Sequence, residues 1–157
     1  IAIGNYRKIK IGSIGTVLPG NEVKLHNPDR EGIGELCFRG IGVTPGYYRN
    51  KNMNTGVFDK DGFFHTGDLG KIDRGGNIFI TGRSKNVIVL PSGKNVYPEE
   101  LEAFYRESHH IREIAVFGIK EEGAEKVFAV IVPDLKNDTS YGIVRDEVNR
   151  LNRGLPT

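Results

Sequence analysis

Cysteine is almost missing from this chain. Cys37 stands alone, so no disulfide can close within it, and a reducing, cytoplasmic setting is the default. The four histidines are scattered rather than clustered, so no metal-ligand spacing is visible. No charge of one sign dominates. The 22 basic and 20 acidic residues leave +2, which excludes a strongly basic nucleic-acid binder on charge alone. Lys and Arg outnumber Asp and Glu 12 to 8 through Arg83, and the balance reverses to 10 against 12 beyond it. That asymmetry is too mild to name a partner. No apolar run approaches the ~20 residues of a membrane span. The stretch from Ile1 to Lys10 lacks the ordered regions of a secretory signal. Internal repeats and low-complexity tracts are not seen either. The chain has no initiator methionine and opens within an apolar stretch, as a piece of a larger protein would.

Glycine is what the sequence has in excess, with 21 in 157 residues, about 13% against a usual ~7%. Many tight turns follow, hence hairpins and short strands. With 38% hydrophobic and 27% charged residues, the chain is globular rather than disordered. Up to about residue 83 the pattern predicts only β structure. Short apolar stretches at 16–18, 22–25, 35–39, 63–65 and 77–81 alternate with glycine turns, which suits a small antiparallel, barrel-like unit. The clearest hairpin pairs 69–73 with 77–81 around Arg74-Gly75-Gly76, read as a type I′ turn with both glycines at positive φ. That register sets Ile72 opposite Phe79 and Lys71 opposite Ile80. Extended to the open end, it sets Asp68 opposite Arg83.

Beyond about Ser84 the pattern becomes α+β. A second hairpin joins 86–90 to 95–97 through Pro91-Ser92-Gly93-Lys94. Pro98 suits a first helical position, followed by Glu99, Glu100 and Glu102 to match the dipole. Leu101, Phe104 and Tyr105 share one face, and His109-His110 would close the helix. Strands are predicted at 114–119 and 127–132. A last helix carries Val144, Val148 and Leu151, capped by Asp138, Thr139 or Ser140 and stopped near Gly154 and Pro156.

Four motifs then occur in order. They are Gly34-Glu35-Leu36-Cys37-Phe38-Arg39-Gly40; Gly46-Tyr47-Tyr48 with Phe58; Asp61-Gly62-Phe63-Phe64-His65-Thr66-Gly67-Asp68; and Gly82-Arg83-Ser84-Lys85, running on to Ser92-Gly93-Lys94-Asn95-Val96-Tyr97-Pro98-Glu99-Glu100-Leu101-Glu102. Each alone is weak. Together, at this spacing, they resemble the adenylate-forming superfamily, and Gly93-Lys94-Asn95-Val96 with Pro98-Glu99-Glu100 is most similar to its long-chain fatty acyl-CoA synthetases. The resemblance implies a C-terminal piece. Residues 1–83 would be the last β subdomain of the large N-terminal domain. Residues 84–157 would be most of a mobile lid, with a hinge at 82–86. The implied reaction joins a fatty acid to AMP from ATP, then transfers the acyl group to coenzyme A. The family's phosphate loop and its Thr-Glu pair for Mg2+ would precede Ile1. Its catalytic lysine would follow a stretch like Leu155-Pro156, beyond Thr157. The piece alone is therefore expected to be inactive in adenylation and to need the missing N-terminal domain. A carrier-protein-loading ligase and a non-catalytic β-rich binding module are the competing readings.

The resemblance assigns nucleotide-ribose contacts to Asp68 and Arg83. Chemistry agrees: a carboxylate accepts from two vicinal hydroxyls, and a guanidinium donates to oxygen. The plain alternatives are a turn aspartate and a cross-strand ion pair. Lys85 falls at the hinge position, where a solvated loop lysine would look the same. Gly93, Lys94 and Asn95 would line the coenzyme A tunnel, though any hairpin tip needs a glycine. Tyr47 and Tyr48 are expected to pack at a strand end, Cys37 to be a core thiol, and His65 to be a packed strand histidine. Glu99, Glu100 and Glu102 read as helix-start residues. Arg7, Lys8 and Lys10 read as a solvated basic face that could also meet an anionic membrane surface. No metal site is expected within these residues.

Overall fold

The computed structural model describes residues 2–3, 10–121, 123–134 and 140–153. It divides into two units, Ile1–Lys85 and Asn86–Thr157. Among the described residues no helix is long and apolar enough to cross a membrane. Arg7, Lys8, Asp138, Thr139 and residues 154–157 lie outside the described residues.

The first unit is one antiparallel sheet. Its strands are β1 (Ala2–Ile3), β2 (Gly15–Val17), β3 (Asn21–His26), β4 (Gly34–Gly40), β5 (Phe64–Ile72) and β6 (Asn77–Arg83). They are ordered β1-β2-β6-β5-β4-β3. A single-turn helix, α1 (Lys51–Asn54), lies between β4 and β5, capped by the Asn50 side chain. The period-2 alternation of β4 explains the layering. Leu36 and Phe38 face the core with Ile78, backed by Val23, Leu25, Val43 and Ile72. Glu35, Cys37 and Arg39 point the other way.

Three turns in this unit share one construction. Asp29-Arg30-Glu31-Gly32, Asp59-Lys60-Asp61-Gly62 and Asp73-Arg74-Gly75-Gly76 each begin with an aspartate whose Oδ1 accepts two backbone N–H groups further on. Each closes with a glycine N–H donating to the carbonyl of that aspartate, at 3.0–3.1 Å. The glycine sits at φ +77° to +79°, where a Cβ would be strained. This Asp-(Arg/Lys)-x-Gly pattern is a short repeat, occurring three times in the first unit.

The third turn corrects the hairpin prediction. Gly76 has positive φ but Gly75 does not, so the loop is a type I turn ending in a left-handed glycine. The extra loop residue shifts the register: Ile72 pairs with Ile78 and Lys71 with Phe79. A bulge between Leu69 and Gly70 then shifts it back, and Asp68 pairs with Arg83 as expected. Two displacements cancel before the open end of the hairpin.

The second unit is α+β. It comprises β7 (Ile88–Val89), β8 (Asn95–Val96), α2 (Pro98–Tyr105), β9 (Ile111–Glu121), β10 (Ala124–Pro133) and α3 (Tyr141–Asn152). Strands β7 and β8 form a short hairpin, and β9 and β10 a long antiparallel ribbon. Pro98 starts α2 with Glu99 and Glu100 in its first turn. The helix ends at Tyr105, so His109-His110 lie in the turn after it rather than closing it. Ser140 caps α3 by accepting from the Ile143 N–H. The core gathers Ile88, Tyr105, Ile111, Ile114 and Val116, with Leu101, Phe104, Val148 and Leu151 packed against it. Glu102 Oε1 accepts the Val116 N–H at 2.9 Å, tying α2 to β9.

Candidate functional site

The site candidates of the first unit lie where β5 leaves the regular ladder. Asp68 and Arg83 are brought together at the open end of the β5–β6 hairpin. Arg83 Nε lies 2.8 Å from Asp68 Oδ1, with the aspartate side chain 30% exposed and the arginine 60%. Arg83 Nη1 also donates to the Thr66 carbonyl at 3.3 Å. An ion pair this open holds its partners weakly, by about 0–1 kcal/mol. Its groups are therefore available to a ligand. Side by side they offer an acceptor carboxylate and a planar donor fork, a combination suited to vicinal hydroxyls.

The neighbouring strand supports this corner. Glu35 Oε1 accepts the Gly67 N–H at 2.8 Å. Glu35 Oε2 lies 2.8 Å from His65 Nδ1, which donates when it carries the proton. Thr66 Oγ1 donates to the Leu36 carbonyl at 2.7 Å and accepts the Asp68 N–H at 3.0 Å. Glu35 was not among the sequence-predicted site residues. Its signal was the strand alternation of the Gly34–Gly40 motif, which puts Glu35 and Cys37 on one face.

Cys37 is fully buried and faces His65 across the ladder, with Sγ 3.5 Å from Nδ1. Burial, then the Glu35 charge, push its thiol up to about 11. Glu35 and Cys37 both meet the same imidazole nitrogen, so His65 cannot be oriented through one nitrogen while activating the thiol through the other. A nucleophilic role has no support in this geometry. The donor atoms of Glu35, Cys37 and His65 lie within 4.8 Å of one another. A thiol, an imidazole and one carboxylate already accepting the Gly67 N–H do not fit Mg2+, which takes several oxygen ligands.

Lys85 is exposed at the last position of the first unit. Gly93, Lys94 and Asn95 are exposed at the tip of the β7–β8 hairpin. Gly93 stands at φ +79°, and no atom lies within 4 Å of where its Cβ would be. Tyr47 and Tyr48 do not pack at a strand end. They are 46% and 84% exposed, on a loop pinned by Asn54, which bonds the Tyr47 N–H and carbonyl. Lys10 is exposed and pairs with Asp73 at 2.6 Å. His109 and His110 line an open cavity of about 480 Å³ in the second unit, with Ser108, Glu147 and Arg150.

No protein-family model matches the chain. Its fold is that of solved adenylate-forming enzymes. The ATP-bound RpMatB–BxBclM chimera B1 superposes with a TM-score of 0.83 at 31% identity, over 98% of this chain and 32% of that one. The o-succinylbenzoate CoA synthetase MenE of Bacillus subtilis, in complex with its acyl-adenylate, gives 0.77 at 26% identity, over 90% and 29%. In sequence the chain is similar to acyl-CoA ligases. It is 42% identical over 118 residues to the long-chain-fatty-acid–CoA ligase FadD15 of Mycobacterium tuberculosis, covering 75% of this chain and 19% of that protein. It is 36% identical over 149 residues to 4-coumarate–CoA ligase 1 of Arabidopsis thaliana, covering 90% and 26%. The chain thus spans about a fifth to a quarter of the length of these relatives.

Proposed function

We propose that this chain is the C-terminal part of an AMP-forming acid–thiol ligase. In the complete enzyme a carboxylate oxygen attacks the α-phosphorus of ATP, forming acyl-AMP as pyrophosphate leaves. The thiolate of coenzyme A then attacks the acyl carbonyl, forming the thioester as AMP leaves. Asp68 would accept the ribose hydroxyls and Arg83 would donate beside it. Both steps need the nucleotide held in place, so these two residues serve the whole reaction. The lysine that assists the first step is expected beyond Thr157 and Mg2+ ligands before Ile1, so neither step is assigned to a residue of this chain.

The observation that carries this reading is the Asp68–Arg83 pair at the break in β5, 2.8 Å apart with the arginine exposed and the aspartate part-exposed. An ATP-bound structure neighbour supports the nucleotide. A long-chain fatty acid is the favoured acyl group, supported by FadD15 and by the long-chain-fatty-acid–CoA ligase ACSBG2 of Gallus gallus, 40% identical over 99 residues. Lys85 would be the pivot between the two half-reactions, with exposed Gly93, Lys94 and Asn95 serving the thiol. A chain whose one cysteine cannot close an internal disulfide fits a reducing, cytoplasmic compartment.

The test is AMP binding by the complete enzyme, measured calorimetrically. Asp68→Ala should weaken AMP by about tenfold or more, the value of a hydrogen bond to a charged group. Unchanged affinity in a folded variant would remove Asp68 from the nucleotide site.

A further inference from the structure

Asp68 does not sit on a regular strand. Along β4, one residue, Leu36, separates the pairs Glu35–Leu69 and Cys37–His65, while along β5 three residues separate them. Those three are Thr66, Gly67 and Asp68. On the other flank β6 carries an extra residue, Thr81, between the pairs Leu69–Gly82 and Gly70–Ile80. Both ladders are therefore interrupted beside Asp68. Such bulges re-aim side chains, and they need bonds from elsewhere to hold their shape.

Those bonds can be followed one by one. Thr66 Oγ1 donates to the Leu36 carbonyl at 2.7 Å, and the Gly67 carbonyl accepts from the Ser84 N–H at 2.9 Å. The Gly67 N–H donates to Glu35 Oε1 at 2.8 Å. Glu35 thus reaches across from β4 to catch the peptide just before Asp68. Its other oxygen faces His65 Nδ1 at 2.8 Å, and both side chains are only 20% exposed. A carboxylate clamped at both oxygens in a largely buried setting makes strong, directional bonds. Removing it would strand the Gly67 N–H.

We propose that Glu35 is a positioning residue for Asp68: bridging the Gly67 N–H and the His65 ring, its carboxylate holds the β5 bulge in the shape that presents Asp68 to the ribose hydroxyls. The assignment rests on the ribose reading of Asp68. Glu35 acts through the Gly67 peptide and makes no ligand contact itself.

The test compares kcat/KM for adenylation with ATP and with 2′,3′-dideoxyATP, in the complete enzyme. The wild type should favour ATP by about a hundredfold or more, as a site built around hydroxyls does. Asp68→Ala should cut that preference by about tenfold or more, and Glu35→Ala should do the same at a distance. Glu35→Asp keeps the charge and leaves little cavity but is one methylene too short to span both donors, so it should lose the preference too. It serves where Glu35→Ala does not fold, with circular dichroism confirming the fold of each variant. A folded Glu35 variant that keeps the wild-type preference, while Asp68→Ala loses it, overturns the positioning role alone. An Asp68→Ala enzyme with the wild-type preference overturns the ribose reading, and this inference with it.

Discussion

Four aspartates of the first unit do two kinds of work. Asp29, Asp59 and Asp73 each spend an oxygen on turn N–H groups. Asp68 instead faces Arg83 and keeps acceptor capacity for a ligand. Asp59 shows what the structural kind contributes. Its carboxyl is lowered to about 2, first by the Lys24 ammonium at 2.6 Å and then by the Phe63 N–H. A carboxyl held below its unfolded value, near 3.9, stabilises the fold above that value. The contribution fades as pH falls toward 2. Asp59→Asn keeps the turn acceptor and loses the charge. Its melting temperature should lie below wild type at pH 6, and the gap should close between pH 4 and pH 2. A gap that stays constant with pH would show that the charge contributes nothing there.

At the scale of elements, turns and bulges decide the register. Gly70 lies where β5 and β6 resume pairing after their bulge. A Cβ there would stand 2.2 Å from the Phe79 carbonyl oxygen and 2.9 Å from Leu36 Cδ1. Gly76 has open space around it, but at φ +77°. Gly76→Ala should therefore cost about 1–2 kcal/mol from backbone strain alone. Gly70→Ala should cost about 3 kcal/mol or more, because the clash is with backbone and cannot relax by a rotamer change. Urea unfolding of the two variants would order them. The reverse order would mean the β5–β6 contact is looser than the structure shows.

How much of this was legible in the sequence varies by element. Helix α2 was readable from Pro98 and the acids after it, and α3 from Val144, Val148 and Leu151, because local chemistry sets both. The pairing of Asp68 with Arg83 was read from a uniform register that does not exist. The real one slips at the Asp73 turn, where a side chain captures backbone N–H groups, and slips back at Thr81. Period-2 alternation contains neither event. The contact between Cys37 and His65 was invisible for a similar reason: 28 residues separate them, and strand order alone makes them neighbours. The Asp-(Arg/Lys)-x-Gly turns were written in the sequence three times and could have been found there.

For the whole molecule, the division between Lys85 and Asn86 matters most. If Lys85 is the pivot between half-reactions, restricting its backbone should separate them. Lys85→Pro fixes φ and constrains Ser84 as well. In the complete enzyme it should leave acyl-AMP formation within about twofold of wild type and slow thioester formation by about tenfold or more, as hinge changes do when they limit a conformational step. Equal losses in both half-reactions would remove the pivot from Lys85.

The central claim is that these residues belong to an enzyme that adenylates a carboxylic acid. Acid-dependent exchange of pyrophosphate into ATP by the complete enzyme, across a ladder of fatty acids, tests it most directly. Exchange should require the acid, peak with long chains and fall with Asp68→Ala. Absence of exchange with every acid would contradict it.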